Sequence, residues 1–293
     1  MTTQTSSTTT GTEAAGTVPR LSLNRWTFRT TPVQEFLETA ASQGIGAVGL
    51  WRQDVAEVGA DALRRRADDA GLRVSSLCRA GFLTAVDAGE RAAALEDNRR
   101  AIDEAVALGS PTLVMVVGGL TREDKDIAAA RERVAENVGA LAPYAEDAGV
   151  TLSLEPMHPM FAADRAVLST LDQALDIAEQ VGSPAVGAVV DTYHVWWDPH
   201  LEQAIQRAGS TGRLLAYQVC DWNLPLAAEP LHSRGYMGDG FIDFPSITRM
   251  IAAAGYTGDI EVEIFNEDVW ETPADESARI IAERYEQLVL PYA

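Results

Sequence analysis

Three carboxylates stand where short apolar runs stop: Glu155 after 151–154, Asp191 after 186–190 and Glu263 after 260–262. An apolar, β-branched run ending in an ionisable group is the pattern of a buried parallel strand whose last residue reaches a polar mouth. His194, three residues past Asp191, adds an imidazole to the same rim, and Gln218 ends a fourth run of this kind. Glu155, Asp191, Gln218 and Glu263 all bind through oxygen and carry three negative charges between them. That donor set suits Mn²⁺ best, with Mg²⁺ or Co²⁺ as alternatives, and is unlike the Cys- and His-rich sites of structural Zn²⁺. Gathering three carboxylates without a cation would cost several kcal/mol in repulsion and desolvation. Taken singly, each also reads as a helix N-cap or an arginine partner.

Around these groups stand the remaining candidates. His194 can donate to a substrate hydroxyl or carbonyl, and His158, in EPMHP, can accept a proton; both also read as packed loop histidines. Glu155 and Glu263 are candidate acid–base groups as well as ligands. Arg52, Arg79 and Arg234 can neutralise the carboxylates or grip polar substrate groups, with structural ion pairs as the plain alternative. Trp26, Trp51, Trp196 and Trp197 can wall a pocket on which sugar or phenolic rings stack.

The elements that must position these residues alternate from about residue 21. Strands are expected at 21–27, 47–51, 73–79, 112–117, 151–155, 186–191, 214–220 and 260–264. Helices are expected at 32–43, 61–70, 87–108, 126–148, 171–181, 200–208, 244–254 and 275–288. Gly44, Gly71, Gly109, Gly149 and Gly182 follow helices as C-caps do. Eight strand–helix units predict a closed (β/α)8 TIM barrel as one domain over 20–293. A doubly wound open sheet lacks its GxGxxG after the first strand. In a barrel the carboxyl ends of the strands form the site. That adds Asn24, Arg25, Cys78 and Asp221 to the rim, with loop 221–244, carrying Arg234, as a cover.

The totals exclude other classes. The 293 residues hold 43 acidic against 23 basic side chains, a net charge of −20, which disfavours nucleic acid and anionic membrane. Lys125 is the only lysine, so Schiff-base chemistry has one poorly placed candidate. Two distant cysteines give no disulfide framework, and no run is long enough to span a bilayer. Residues 1–19, rich in Thr, Ser, Gly and Ala, read as a disordered tail and not a signal peptide, which points to the cytoplasm.

On SLEPMHP, VVDTYHVWWDP, YQVCDW, RGYMGDGFIDF and VEIF, the chain resembles the xylose isomerase-like barrel superfamily of sugar phosphate isomerases and epimerases. The resemblance runs from about Leu21 to Tyr285. It implies that Glu155 and Glu263 bind metal and exchange protons with a substrate carbon from opposite faces, and it matches the family's Asp-x-x-His to Asp191 and His194. Many members carry a metal-binding histidine on strand seven, where this chain has Gln218, a weaker ligand. VVDTYHVWWDP and VCDW…GYMGDG also resemble catalytic subunits of bacterial C-glycoside deglycosidases, which act on 3-oxo-glycosides with Mn²⁺ and a small β-rich partner subunit. The resemblance thus implies a metal-dependent enzyme that removes a proton next to the carbonyl of a keto sugar or polyol, as a homo-oligomer or with that partner. β-Elimination from a 3-oxo-C-glycoside and non-catalytic sugar binding are the alternatives.

Overall fold

The computed structural model describes residues 17–293. Most of the expected tail, residues 1–16, lies outside the described residues. Val18 and Pro19 belong instead to the first strand, where Val18 N–H donates to Gly44 C=O at 3.0 Å.

Eight parallel strands close into a barrel: β1 (Val18–Asn24), β2 (Ile45–Trp51), β3 (Arg73–Gly81), β4 (Thr112–Val116), β5 (Thr151–Leu154), β6 (Val186–Asp191), β7 (Leu214–Val219) and, last in the chain, β10 (Ile260–Val262). β1 closes the ring against β10 through Leu21↔Ile260. Between β7 and β10, the two short strands β8 (Asp221–Trp222) and β9 (Arg234–Gly235) pair antiparallel, an insertion absent from the expected eight units.

The alternation of each strand divides its side chains between two cores. Residues such as Leu50, Leu77, Val190 and Val262 face the helices in the large outer core. Trp51, Cys78, Val114, Val189 and Phe265 form a small separate cluster. Asp191 has the parity of Val189, so it faces that inner cluster; Glu261 and Glu263 share one parity on and just beyond β10.

The helices follow the expected order, with ends set by local chemistry. Asp87 and Asp126 accept the first free N–H groups of Ala88–Leu108 and Ile127–Ala148, and Gly109 and Gly149 close these helices in the left-handed conformation. Three short α-helices were not expected: Arg52–Val58 directly after β2, Thr192–Val195 directly after β6 and Glu267–Glu271 a few residues beyond β10. Among the described residues, no helix is long and apolar enough to cross a membrane.

Candidate active site

At the carboxyl end of β6, one residue does two jobs. Asp191 Oδ1 accepts the Tyr193 N–H at 2.9 Å and so caps the single turn Thr192–Val195, which folds His194 back over the mouth. The Asp-x-x-His spacing is therefore a capped turn that aims both side chains at one point. Glu155, one residue past β5, is tied through its N–H to Met115 C=O at 3.0 Å. Glu155, Asp191 and His194 each offer a donor atom within 4.8 Å of the others, and all three are buried.

Arg234 enters this cluster from β9. Its Nη1 lies 2.9 Å from Glu263 Oε2 and 3.0 Å from Asp191 Oδ2, and also donates to the Glu263 carbonyl at 3.0 Å. One guanidinium thus bridges two carboxylates, with the rings of Tyr193 and Phe265 against it at 5.0 and 4.6 Å. The strand that carries Arg234 is held down by Asp221, whose carboxylate accepts four backbone N–H groups, from Trp222, Gly238, Gly240 and Ile242.

The two ring nitrogens of His194 have distinct roles. The His158 backbone N–H donates to Nδ1 at 3.2 Å, so the neutral ring carries its proton on Nε2. That N–H faces Glu155 at 3.7 Å and Asp191 at 3.9 Å. The 3.1 Å approach of Arg234 Nη2 to Nε2 is then a crowded contact between two donors and not a hydrogen bond. Burial, reinforced by Arg234, holds the imidazole well below its usual pKa, and it stays neutral.

Burial also raises the carboxylates. Glu155 is pushed up to about 7, by desolvation first and the Asp191 charge second. Asp191 and Glu263 shift in the same direction for the same leading reason, with Arg234 opposing.

Above the carboxylates opens a cavity of about 200 Å³, lined by Trp26, Trp51, Arg79, Glu155, Glu263 and Phe265 among others. Trp26 stacks on Trp51 at 4.3 Å, and Phe265 meets Trp51 edge-on at 5.9 Å. The cavity thus has an aromatic wall opposite a charged floor.

The sequence profile of the family described as xylose isomerase-like TIM barrel matches residues 37–284. The chain belongs to that family. Inosose isomerase of Bacillus velezensis is 27% identical over 54% of this chain, a match spanning only 55% of that protein's own length. L-ribulose 3-epimerase of Mesorhizobium japonicum is 26% identical over 85% of this chain and 82% of its own. The C-glycoside deglycosidase alpha subunit of Microbacterium trichothecenolyticum is 32% identical over 37% of this chain and 29% of its own. Among solved structures, a protein of Sinorhizobium meliloti 1021 is 47% identical with a TM-score of 0.90, covering 93% of this chain and 99% of that one. The IolI protein with a binding zinc atom has a TM-score of 0.80 over 93% of this chain and 99% of its own, at 18% identity, which speaks to the fold alone.

Within this family barrel, the expected residues separate into those brought to the mouth and those sent elsewhere. Trp51, Arg79, Glu155, Arg234 and Glu263 line the cavity, and Asp191 and His194 lie fully buried against Arg234. Arg52 does not reach it. One residue past inward-facing Trp51, it points to the helix layer and pairs with Glu104 at 2.6 Å and Asp97 at 2.9 Å. Trp196 also lies elsewhere, lining a separate outer groove with Asp198 and Phe241. His158 turns its ring from the cavity: Nδ1 accepts the Met160 N–H at 3.3 Å, and the ring packs on Trp222 at 5.0 Å. Its contribution here is its backbone N–H.

Gln218 faces the barrel interior, but its amide N–H donates to Glu261 at 2.9 Å. Glu261 is the buried carboxylate the sequence reading overlooked. It also accepts from Asn24 at 2.7 Å, Ser76 at 2.6 Å and Ser75 at 3.0 Å. Its signal was present: in 260–264, Glu261 has the same parity as Glu263.

Charge and hydrogen bonding both fit a divalent cation at the mouth. Glu155, Asp191, Glu261 and Glu263 are four buried carboxylates, and the buried guanidinium of Arg234 pairs with two of them, Asp191 and Glu263. Gln218 Oε1 receives no hydrogen bond among the described residues, and Asp191 Oδ2 has, at close range, only its 3.0 Å ion pair with Arg234. Unpartnered buried oxygens are costly unless something binds them. Oxygen donors of this kind favour a hard cation.

Proposed function

We propose that this barrel is a divalent-metal-dependent enzyme that removes a proton next to the carbonyl of a keto sugar or polyol and returns it, as an isomerase or epimerase. The observation that carries this reading is the convergence of Glu155, Asp191 and His194, with Glu263 joined to Asp191 through Arg234, beneath a cavity of about 200 Å³ with an aromatic wall, room for a molecule about the size of one sugar ring. Glu155, Asp191 and Glu263 would hold the cation, Mn²⁺ being the best match to their chemistry, with the Gln218 oxygen beside them. A bound cation would polarise the substrate carbonyl and offset the charge developing on its oxygen.

The chain's own residues do the rest. Glu155 and Glu263 belong to strands separated by two others in the ring, so they can reach a substrate carbon from two sides, one removing the proton and the other delivering it. His194 Nε2–H donates to a substrate oxygen, and Arg79 and Arg234 grip hydroxyls. The isomerase and epimerase relatives support the reading.

The test is solvent-deuterium uptake into a panel of free, phosphorylated and 3-oxo sugars. Wild-type protein with Mn²⁺ should label a carbon next to the carbonyl, and Glu155→Gln and Glu263→Gln should not. Full activity in both variants, or ligand binding without exchange, rejects the assignment, the second result favouring a sugar-binding barrel.

One observation favours a second reading, C-glycoside cleavage with a partner subunit. Phe82, Val86, Met160, Leu224, Leu226 and Phe241 are exposed, and all follow barrel strands, on the face that carries the mouth. An apolar rim of this kind suits a docked protein, and the deglycosidase alpha subunit is among the relatives. Copurification of a small β-rich protein required for turnover of a 3-oxo-C-glycoside selects this branch. A fully active homo-oligomer on free ketoses excludes it.

A further inference from the structure

Resting on the metal-dependent reading above, we propose that Glu261 is a positioning residue that fixes the Gln218 amide with its oxygen turned toward the cation site. Glu261 and Gln218 are direct register partners on β10 and β7, and Gln218 is in turn the register partner of Asp191 on β6. A carboxylate accepts and cannot donate, so only the NH₂ end of the Gln218 amide can face Glu261. The oxygen is thereby turned away from β10, and β6, with Asp191, lies on its other side. It is buried and unpartnered among the described residues.

Glu261 is itself held firmly. Asn24 and Gln218 donate to Oε1, and Ser75 and Ser76 to Oε2. Asn24 cannot flip, because its own oxygen accepts the Trp51 indole N–H at 2.8 Å and the Trp26 N–H at 2.9 Å. Gly49 leaves the room: a Cβ there would come within 2.4 Å of Glu261 Oε2. The network therefore joins the aromatic wall, through Asn24 and Glu261, to the one neutral oxygen of the ligand set. A free glutamine at this position would present nitrogen to the cation about as readily as oxygen; this one cannot.

The experiment is calorimetric titration with Mn²⁺ alone on metal-stripped wild type, Glu261→Met, Gln218→Met and the double variant. Glu261→Met keeps the side-chain volume and removes both acceptor oxygens. Loss of a group that orients a ligand typically weakens metal binding about 10–100-fold, and that loss is expected for Glu261→Met in the wild-type background. In the Gln218→Met background the same change should cost less than about twofold, because Glu261 then has no amide left to orient. A purely structural or charge-based role predicts equal losses in both backgrounds, and that result, or no loss in the wild-type background, overturns the proposal. Gly49→Ala, which displaces an intact Glu261 carboxylate, carries the same comparison if Glu261→Met fails to fold. Wild-type protein that binds no Mn²⁺ would instead reject the metal-dependent reading, and this inference with it.

Discussion

Glu261 and Glu263 are two residues apart, have the same parity and are equally buried, yet their surroundings differ. Glu261 has four donors, two on each oxygen, from three different strands and the residue beside one of them. Glu263 has one, the Arg234 guanidinium, which it shares with Asp191. The deeper carboxylate is complete as it stands, whereas the one at the mouth is short of positive charge, and burial pushes its pKa well up. In a protein interior, a carboxylate left undersupplied while its neighbour is fully satisfied marks a place arranged for something that binds. On the proposed function, the deeper layer orders the barrel interior and fixes Gln218, and the upper one would meet the substrate.

The largest effect should come from breaking the upper layer. Glu263→Gln or Glu155→Gln should lower kcat by about 10³-fold or more, the upper part of the range for a positioned acid or base, while circular dichroism stays native. A loss under tenfold in both would mean that the mouth carboxylates are no more functional than Glu261. The next largest effect is thermal. Mn²⁺ at about 100 times its Kd should stabilise the protein by about 2.7 kcal/mol, several degrees in Tm. Glu155→Gln should lose most of that gain. A cation that stabilises wild type and Glu155→Gln equally binds elsewhere.

The same contrast accounts for what the sequence disclosed. The eight units, their capping residues and the three mouth carboxylates were legible because each is local: an apolar run, then a carboxylate, then a helix. Glu261 was less legible because it lies within the strand and not at its end, although alternation along 260–264 turns it inward with Glu263. Its pairing with Gln218 depends on the register of β10 against β7, which no local pattern encodes. Arg52 looked like its neighbour Trp51, but a one-residue step reverses the side chain, and it ends between Asp97 and Glu104. Arg234 was read on the loop over the opening, without the contacts that bring it down between Asp191 and Glu263. Its place depends on the β8–β9 ribbon and the Asp221 anchor, contacts made across a long insertion.

The mouth also carries a pH dependence, a smaller effect. Glu155 is raised from 4.5 to about 7, mainly by burial, so the metal-stripped fold prefers its neutral form. A raised folded pKa contributes stability that is fully present below the unfolded value and is lost as pH rises through the folded one. Relative to Glu155→Gln, metal-stripped wild type should therefore lose Tm as pH rises from about 4.5 to 7, a comparison that cancels the opposite trend from the neutral, buried His194. Saturating Mn²⁺ should oppose that trend, because the cation favours the ionised carboxylate. A stripped wild type whose Tm rises relative to Glu155→Gln through this window would contradict an undersupplied mouth.

The smallest effect probes the deeper layer alone. Ser76 donates to Glu261 Oε2 at 2.6 Å, and Ser75 donates to the same oxygen at 3.0 Å. Ser76→Ala therefore removes one bond without stripping the oxygen of donors. The expected cost is about 1.5 kcal/mol, the low end for a hydrogen bond to a charged group, read as a Tm lower by a few degrees. Because Asn24 and Gln218 bind the other oxygen, Oε1, the Gln218 amide keeps its orientation and Mn²⁺ affinity should change less than in Glu261→Met. A Ser76→Ala protein with unchanged Tm would mean that the deeper carboxylate is held loosely. The two layers would then differ in position only.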